Sequence, residues 1–566
     1  MGQQKAFWWK VGYIVAIFAL VVPLHLLSQP ATRHSDGGKL ARLRKEYDLS
    51  EANLGEVDVS AETVKLATLG LRGIAVDILW NKAADYKMKE DWAGFGAVLT
   101  QIAYLQPHFY SVWDFQAHNL TYNTSVEFDD YHARYYWVME GIKFLKLGQK
   151  ENIHEPRITG RIGWFIGQKI GKADEHRQYR RLFKQDDKFH AEDDPSRPLS
   201  QRDNWLVSYS KYKQGQEQVR RGDPLRTTPL IFHSQPMMSL ISYAEDLESD
   251  STAGETPKFG EVAKNAWDHA DREKDEFGAR DLAAPDNTIV HLNAEEDLIA
   301  REKRLEEQLE KLLPGEFERV KLATRDKQTP QQRISLDLPF DKRTAPQEND
   351  WILWWNEVAE RTSPDRRAKA RKLAADLTNT ESAAREIRMS RDIVNYNYWK
   401  TRCEAEPTDD ALAARQLMYQ AGQEQMEARP TTAKKLYEQS FAAWRKVLDR
   451  WKVLREDTLM AEDLADVVEK YRDVLRQLAG ADSKFPAHFI LQDVLDLNDR
   501  TNPRPKMAVK GEPQTAAKTK PTGTKTPAEK TPAAQRPDSK SPAPAAPKSK
   551  APPAAKPPAT KSDGKP

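Results

Sequence analysis

Residues 107–130 read PHFYSVWDFQAHNLTYNTSVEFDD, and the spacing inside this run decides between a packed helix and a reactive loop. At about 100° per residue, Phe109, Trp113, Ala117 and Leu120 fall within about 80° of one another, the stripe of a core-facing helix. Gln116, Asn119 and Asn123 fill an adjoining arc about 60° wide. Buried amides need partners, so this arc predicts either a hydrogen-bond network between neighbouring helices or the polar lining of a groove. The acidic end, Glu127 to Asp130, falls in the connection to the next helix. Trp113, Gln116, Asn119, Asn123, Glu127 and Asp130 are therefore the candidate groove-lining or interaction residues.

The same texture extends on both sides. Apolar residues recur at three and four and strand-like alternation is scarce. Helices are expected at 60–67, 74–90, 93–105, 109–123, 130–147 and 156–171. Asn152 is a candidate cap for the last of these, Pro156 sits early where its missing N–H costs nothing, and Gly171 offers a left-handed end. Within it Gly160, Gly163, Gly167 and Gly171 form one smooth stripe, which predicts close approach of another helix. A further helix is expected at 205–221. The charged stretch 245–350 contains one strongly helical run, 293–313, whose Leu298, Leu305, Leu309 and Leu312 make a narrow stripe among i,i+4 charge pairs. Helical texture returns from Trp351 to about Leu497.

Composition sets the outer limits. The chain has 566 residues, of which 39% are apolar and 30% charged, enough to build a core. Phe7 to Leu27, FWWKVGYIVAIFALVVPLHLL, is long enough to span a bilayer, with Trp8, Trp9, Lys10 and Tyr13 at its flank. No small-x-small cleavage site follows it, which favours an uncleaved anchor over a signal peptide. Lysines precede it and Arg33, Lys39, Arg42, Arg44 and Lys45 follow it, so the side of the membrane on which the body lies stays open. Residues 503–566 hold 14 Lys and Arg against 4 Asp and Glu and 15 of the chain's 34 prolines. Such a segment buries too little surface to offset its ordering entropy, so a disordered basic tail is expected.

The expected organisation is thus an anchor (1–28), a juxtamembrane linker (29–59), a helical repeat domain (60–244), a charged insertion (245–350), a second repeat-like helical domain (351–500) and a disordered Pro/Ala/Lys-rich tail (501–566). Ala83, Tyr86, Leu99 and Pro107 stand at offsets that resemble a tetratricopeptide repeat. Trp113, Ala117 and Leu120 continue the pattern, and Ala133 and Trp137 resume it after a short insertion. A third unit resembles it near the C-terminus: Tyr419, Gly422 and Met426, then Ala433, Tyr437 and Phe441, with Thr431 or Thr432 as a cap. With the anchor, GLRGIAVDILWNKAADY (70–86) and HNLTYNTSVEFDD (118–130), the chain resembles large single-pass bacterial proteins of the planctomycete type. That resemblance implies an all-α, helical-hairpin (tetratricopeptide-like) array with an N-terminal transmembrane helix.

Chemical motifs are sparse. There is no P-loop, nucleophile elbow, H-E-x-x-H helix or EF-hand loop. Cys403 is the one cysteine, which excludes an internal disulfide or zinc ribbon. His118, Glu127, Asp129, Asp130 and His132 carry metal-ligating groups, but only Asp129 and His132 have a helical ligand spacing. The basic run 172–190 allows phosphate or acidic-lipid contact, or a solvated face answered by Asp186 and Asp187. The reading is a membrane-anchored scaffold that meets other proteins on a concave helical face, with no cofactor and no specific nucleic acid. The alternatives are an envelope organiser whose tail binds an acidic polymer, and a motif-poor enzyme using the acidic cluster 127–130.

Overall fold

The computed structural model describes residues 72–338, 343–479 and 485–501, with five single positions ahead of residue 72. The expected anchor with Trp8, Trp9, Lys10 and Tyr13, the helix at 60–67 and the tail lie outside the described residues. Among the described residues no helix is long and apolar enough to cross a membrane.

Helices α1 (Arg72–Met88), α2 (Trp92–Leu105), α3 (Tyr110–His118) and α4 (Tyr131–Glu151) pack in succession as hairpins. Helix α5 (Pro156–Trp164) packs on α4 and continues through a wide turn to Lys172. Short helices α6 (His176–Lys184) and α7 (Asp187–Asp193) precede α8 (Asn204–Arg220), which lies along α5. Helices α9 (Pro229–Leu247) and α10 (Glu261–Ala279) extend the series by pairwise packing, α8 on α9 and α9 on α10. Their boundaries follow local chemistry: Asp91, Asp130, Asp186 and Asp203 accept first-turn N–H groups, and Pro156 and Pro229 open helices.

A two-residue antiparallel pair, β1 (Leu282–Ala283) with β2 (Ile289–Val290), follows, in the register Leu282 to Val290. Then come α11 (Glu295–Glu310), α12 (Phe317–Asp326), α13 (Pro330–Asp337), α14 (Ala345–Glu360) and the long α15 (Arg367–Ile393), on which both α11 and α14 pack. The series ends with α16 (Tyr396–Ala405), α17 (Asp409–Met426), α18 (Pro430–Arg450), the single turn α19 (Lys452–Arg455), α20 (Thr458–Ala479) and α21 (Gln492–Thr501). The described chain is all-α apart from the one strand pair.

Four apolar cores run along this series. Leu99, Val112, Trp113, Ile142, Ile162 and Phe165 centre the first. Met237, Ile241, Trp267, Phe277, Tyr396 and Cys403 centre the second. Leu309, Trp354, Trp355, Val358 and Leu377 form the third, and Tyr437, Phe441, Leu464, Val468 and Tyr471 the fourth.

Several expectations change. The charged stretch 245–350 holds α10, α12 and α13 as well as the expected helix, because Ala263, Ala266, Trp267, Ala270 and Phe277 give α10 a buried stripe inside a charged background. Asn152 caps no following helix; its amide donates to Pro107 O and Gly148 O, both at 2.7 Å, closing α4. Gly171 is helical rather than left-handed, the helix ending one residue later. Pro430 opens α18 with no side-chain cap from Thr431 or Thr432. Phe109 stays 44% exposed, because it precedes the first turn of α3, and Val112 takes the core place instead.

The glycine stripe of α5 does what its spacing predicts. A Cβ on Gly171 would stand 2.5 Å from the Trp205 indole, and one on Gly167 2.8 Å from it. One on Gly160 would meet Phe232, and one on Gly163 the backbone of Ser208. Helix α8 lies where a side chain on α5 would be.

Candidate functional site

Helices α3 and α5 share an irregularity. Each stops winding as an α-helix and opens into a π turn, at Asn119–Thr124 and at Phe165–Lys169. In the first, hydroxyls compete for the ladder: Thr121 Oγ1 donates to Ala117 O at 2.8 Å and Ser125 Oγ to Thr121 O at 2.6 Å. In the second, α8 takes up carbonyls. Asn204 Nδ2 reaches Ile166 O and Gly167 O, both at 3.3 Å, and Ser208 Oγ donates to Gly163 O at 2.8 Å. Such turns recur at functional sites because they re-aim the side chains that follow.

The two turns meet at Tyr122 and Lys169. On α3 and its extension, Tyr110, Asp114, His118 and Tyr122 stand four residues apart and face Arg157, Arg161, Trp164 and Lys169. The Arg157 guanidinium lies 4.4 Å from the Tyr110 ring centre, Arg161 Nε donates to Asp114 Oδ1 at 2.5 Å, and the Lys169 ammonium sits 4.4 Å from the Tyr122 ring centre. His118 stacks on Tyr122 with ring centres 4.6 Å apart, and Arg161 also covers Trp164 at 4.3 Å. Tyr122 and Trp164 are half-buried and His118 is exposed.

Lys169 stands apart electrostatically. It is 8% exposed, yet makes no hydrogen bond or ion pair among the described residues. Burial pushes its pKa below the ordinary lysine value, partly offset by Glu175, while Arg134 adds to the shift. Glu175 is itself engaged by Arg134. Partial desolvation of its ring depresses His118, helped by Arg161, and burial raises the Tyr122 phenol to about 12. Arg157 is answered by Glu155 and Arg161 by Asp114, while Glu175 and Asp174 act on Lys169 only through space.

The sequence-predicted residues divide around this face. Trp113 is in the core, 1% exposed, with its ring against Gly148 and its indole N–H donating to Pro107 O at 2.7 Å; it lines no groove. Gln116 and Asn119 are buried and form a ladder: Asn123 Nδ2 donates to Asn119 Oδ1 at 3.0 Å, and Asn119 Nδ2 contacts Gln116 Oε1 and Trp92 O, each at 3.5 Å. The ladder rests on Gly96 of α2, where a Cβ would come within 2.9 Å of Gln116. The ladder runs within α3 and its extension, and the one contact that crosses to α2 is the long one to Trp92 O. Glu127 and Asp130 are exposed, and Asp130 serves as the cap of α4, accepting from Ala133 N at 3.0 Å.

Compared with family models, with curated proteins and with solved structures, the chain matches none.

Among the described residues no group of three or more His, Cys, Asp or Glu is placed to hold a metal ion. His132 contacts Asp130 at 3.3 Å on the surface, whereas His118 is engaged with Tyr122. The Cys403 thiol is fully buried, and burial raises its pKa far above the ordinary value and favours the protonated thiol. The basic run 172–190 turns partly inward: Arg180 is 5% exposed and Lys184 pairs with Glu255. Tyr122, Arg161, Trp164 and Lys169 escaped the sequence reading because an added helical residue leaves no mark in composition or hydropathy.

Proposed function

We propose that this chain is a membrane-anchored helical-hairpin scaffold that holds another protein on the face between α3 and α5. The observation that carries the reading is the row of half-exposed rings and guanidinium groups ending in the buried, unpaired Lys169. Rigid helices with aromatic and arginine anchors are the usual source of binding energy at protein interfaces. The Lys169 ammonium, with no carboxylate in contact, suits a partner segment that combines an acidic group with an apolar side chain. The tetratricopeptide-like spacing, the apolar segment at 7–27 and the basic tail support the architecture: a bilayer tether, stacked hairpins and an extension that attracts acidic polymer.

Proximity labelling with the full chain tests this reading, comparing the natural sequence with Tyr122→Ala, Trp164→Ala and Lys169→Met. A scaffold loses its labelled neighbours in these variants while keeping its place in the membrane fraction. An unchanged set of neighbours in all three variants removes this face from the function. Removing residues 1–28 is expected to release the protein from the membrane fraction, and retention there sinks the anchor.

A further inference from the structure

A concavity lined by none of the α3–α5 face residues lies among α6, the start of α8, the end of α9 and the loop 249–258. Its volume is about 240 Å³, room for roughly eight waters at about 30 Å³ each. The floor is a fixed polar array. Buried Arg180 donates from Nη2 to Asp203 Oδ2 at 2.9 Å, from Nη1 to Asp246 Oδ2 at 2.5 Å, and from Nε to Thr252 Oγ1 at 3.0 Å. The loop that walls it is tied in three places: Ala253 N donates to Arg177 O at 2.9 Å, Lys258 N to Leu247 O at 2.7 Å, and Ser251 Oγ to Asp246 O at 2.8 Å. The cavity is therefore formed before any ligand arrives.

Charge and residual hydrogen-bonding capacity select the ligand. Arg180, Lys184 and Lys258 line the cavity with Asp203, Asp246 and Glu255, three of each sign, and Lys184 already pairs with Glu255. A balanced wall gives no net attraction to an ion. The Tyr243, Ser200 and Thr256 hydroxyls also line it, and none makes a hydrogen bond with the described residues. They join carboxylate oxygens of Asp203, Asp246 and Glu255 held in place by Arg180 and Lys184, with the Tyr243 ring as the aromatic wall. We propose that this cavity binds a neutral, polyhydroxylated small molecule the size of one sugar ring. Each hydroxyl of such a molecule both donates and accepts, matching paired charges that suit neither an anion nor a cation.

The test is saturation-transfer NMR and calorimetry on the full chain in a sugar-free detergent. The neutral probes are methyl glucoside, methyl mannoside and N-acetylglucosamine; inorganic phosphate and acetate are the charged ones. At least one neutral sugar is expected to bind, and Ser200→Ala with Thr256→Val to weaken it by about tenfold. Those changes lie at the exposed rim and leave the Arg180 floor intact, and circular dichroism verifies folding. Tyr243→Phe supplies a second variant in case Thr256→Val disturbs the loop. Binding of phosphate alone, binding of none of the three sugars, or sugar binding that ignores every variant each overturns the assignment.

Discussion

Two buried charges divide the molecule into contrasting regions. At the end of α16, Glu406 is 1% exposed and lies between Arg402 and Arg415, with Arg402 Nη2 donating at 2.8 Å. Arg415 also reaches Glu248 at the end of α9, and both guanidinium groups flank Trp267 of α10. Burial opposes the charge on Glu406, but Arg415 and Arg402 outweigh it and hold the carboxyl below the ordinary range. Beyond α5, Lys169 is less deeply buried, 8% exposed, and has an aromatic ring where Glu406 has two arginines. The first charge ties elements together; the second has its desolvation offset only by the Tyr122 ring and by carboxylates acting at a distance.

The largest expected effect breaks the first side of this contrast. Glu406→Gln removes the carboxylate that Arg402 and Arg415 share, leaving each with one other partner, Glu245 and Glu248, and is expected to cost about 3 kcal/mol in urea unfolding. In the natural protein the contribution of Glu406 is present above the ordinary glutamate pKa and is lost as pH falls through its lower folded value. The variant is expected to lack that acid-side slope. A loss below about 1 kcal/mol would make Glu406 an incidental ion pair.

Next is Gly171→Ala, which drives a methyl into Trp205 and is expected to cost about 1–3 kcal/mol, read as a lowered thermal midpoint. A neutral result would mean that α8 slides freely along the α5 stripe. Third, Lys169→Met keeps the shape and removes the buried ammonium, so folding stability is expected to rise by about 1 kcal/mol while partner binding falls. The sign in alkali follows from its depressed folded pKa. Between that value and the lysine value of the unfolded chain, the unfolded state holds more protons, so this group's contribution rises with pH. Lys169→Met is expected to flatten that slope, and a destabilised Met variant would return Lys169 to the structural class.

The smallest effect concerns Gly422 of α17, around which a Cβ would meet nothing within 4 Å. Gly422→Ala is expected to gain about 0.5–1 kcal/mol from helix propensity and unfolded-state entropy. A loss there would show that the α17–α18 hairpin is as tightly jammed as α5 on α8.

Much of the fold was legible because helical spacing records burial. Ala83, Leu99, Ala433, Tyr437 and Phe441 are all fully or almost fully buried, as their periodicity required. The glycines of α5 announced a close neighbour, though only the folded chain identifies it as Trp205, more than thirty residues away. Gln116, Asn119 and Asn123 announced a polar seam. Phe109 and Trp113 were assigned together by angle, and they part because a stripe does not register where a helix begins. Lys169 was invisible for a different reason. Its isolation depends on Arg134 engaging Glu175, a long-range pairing that no local pattern encodes.

The π turns have a consequence for how this sequence tolerates change in length. Each is an α-helical turn lengthened by one residue, so each is a point where a single-residue deletion leaves the backbone ladder able to close. Deleting one residue within 119–124 or 165–169 rotates everything beyond it by about 100° around the helix axis. The helix persists, but Tyr122 and Lys169 no longer meet. A change in length there takes the α3–α5 face apart, and at 165–169 also turns the glycine stripe away from Trp205, without breaking the helical ladder itself.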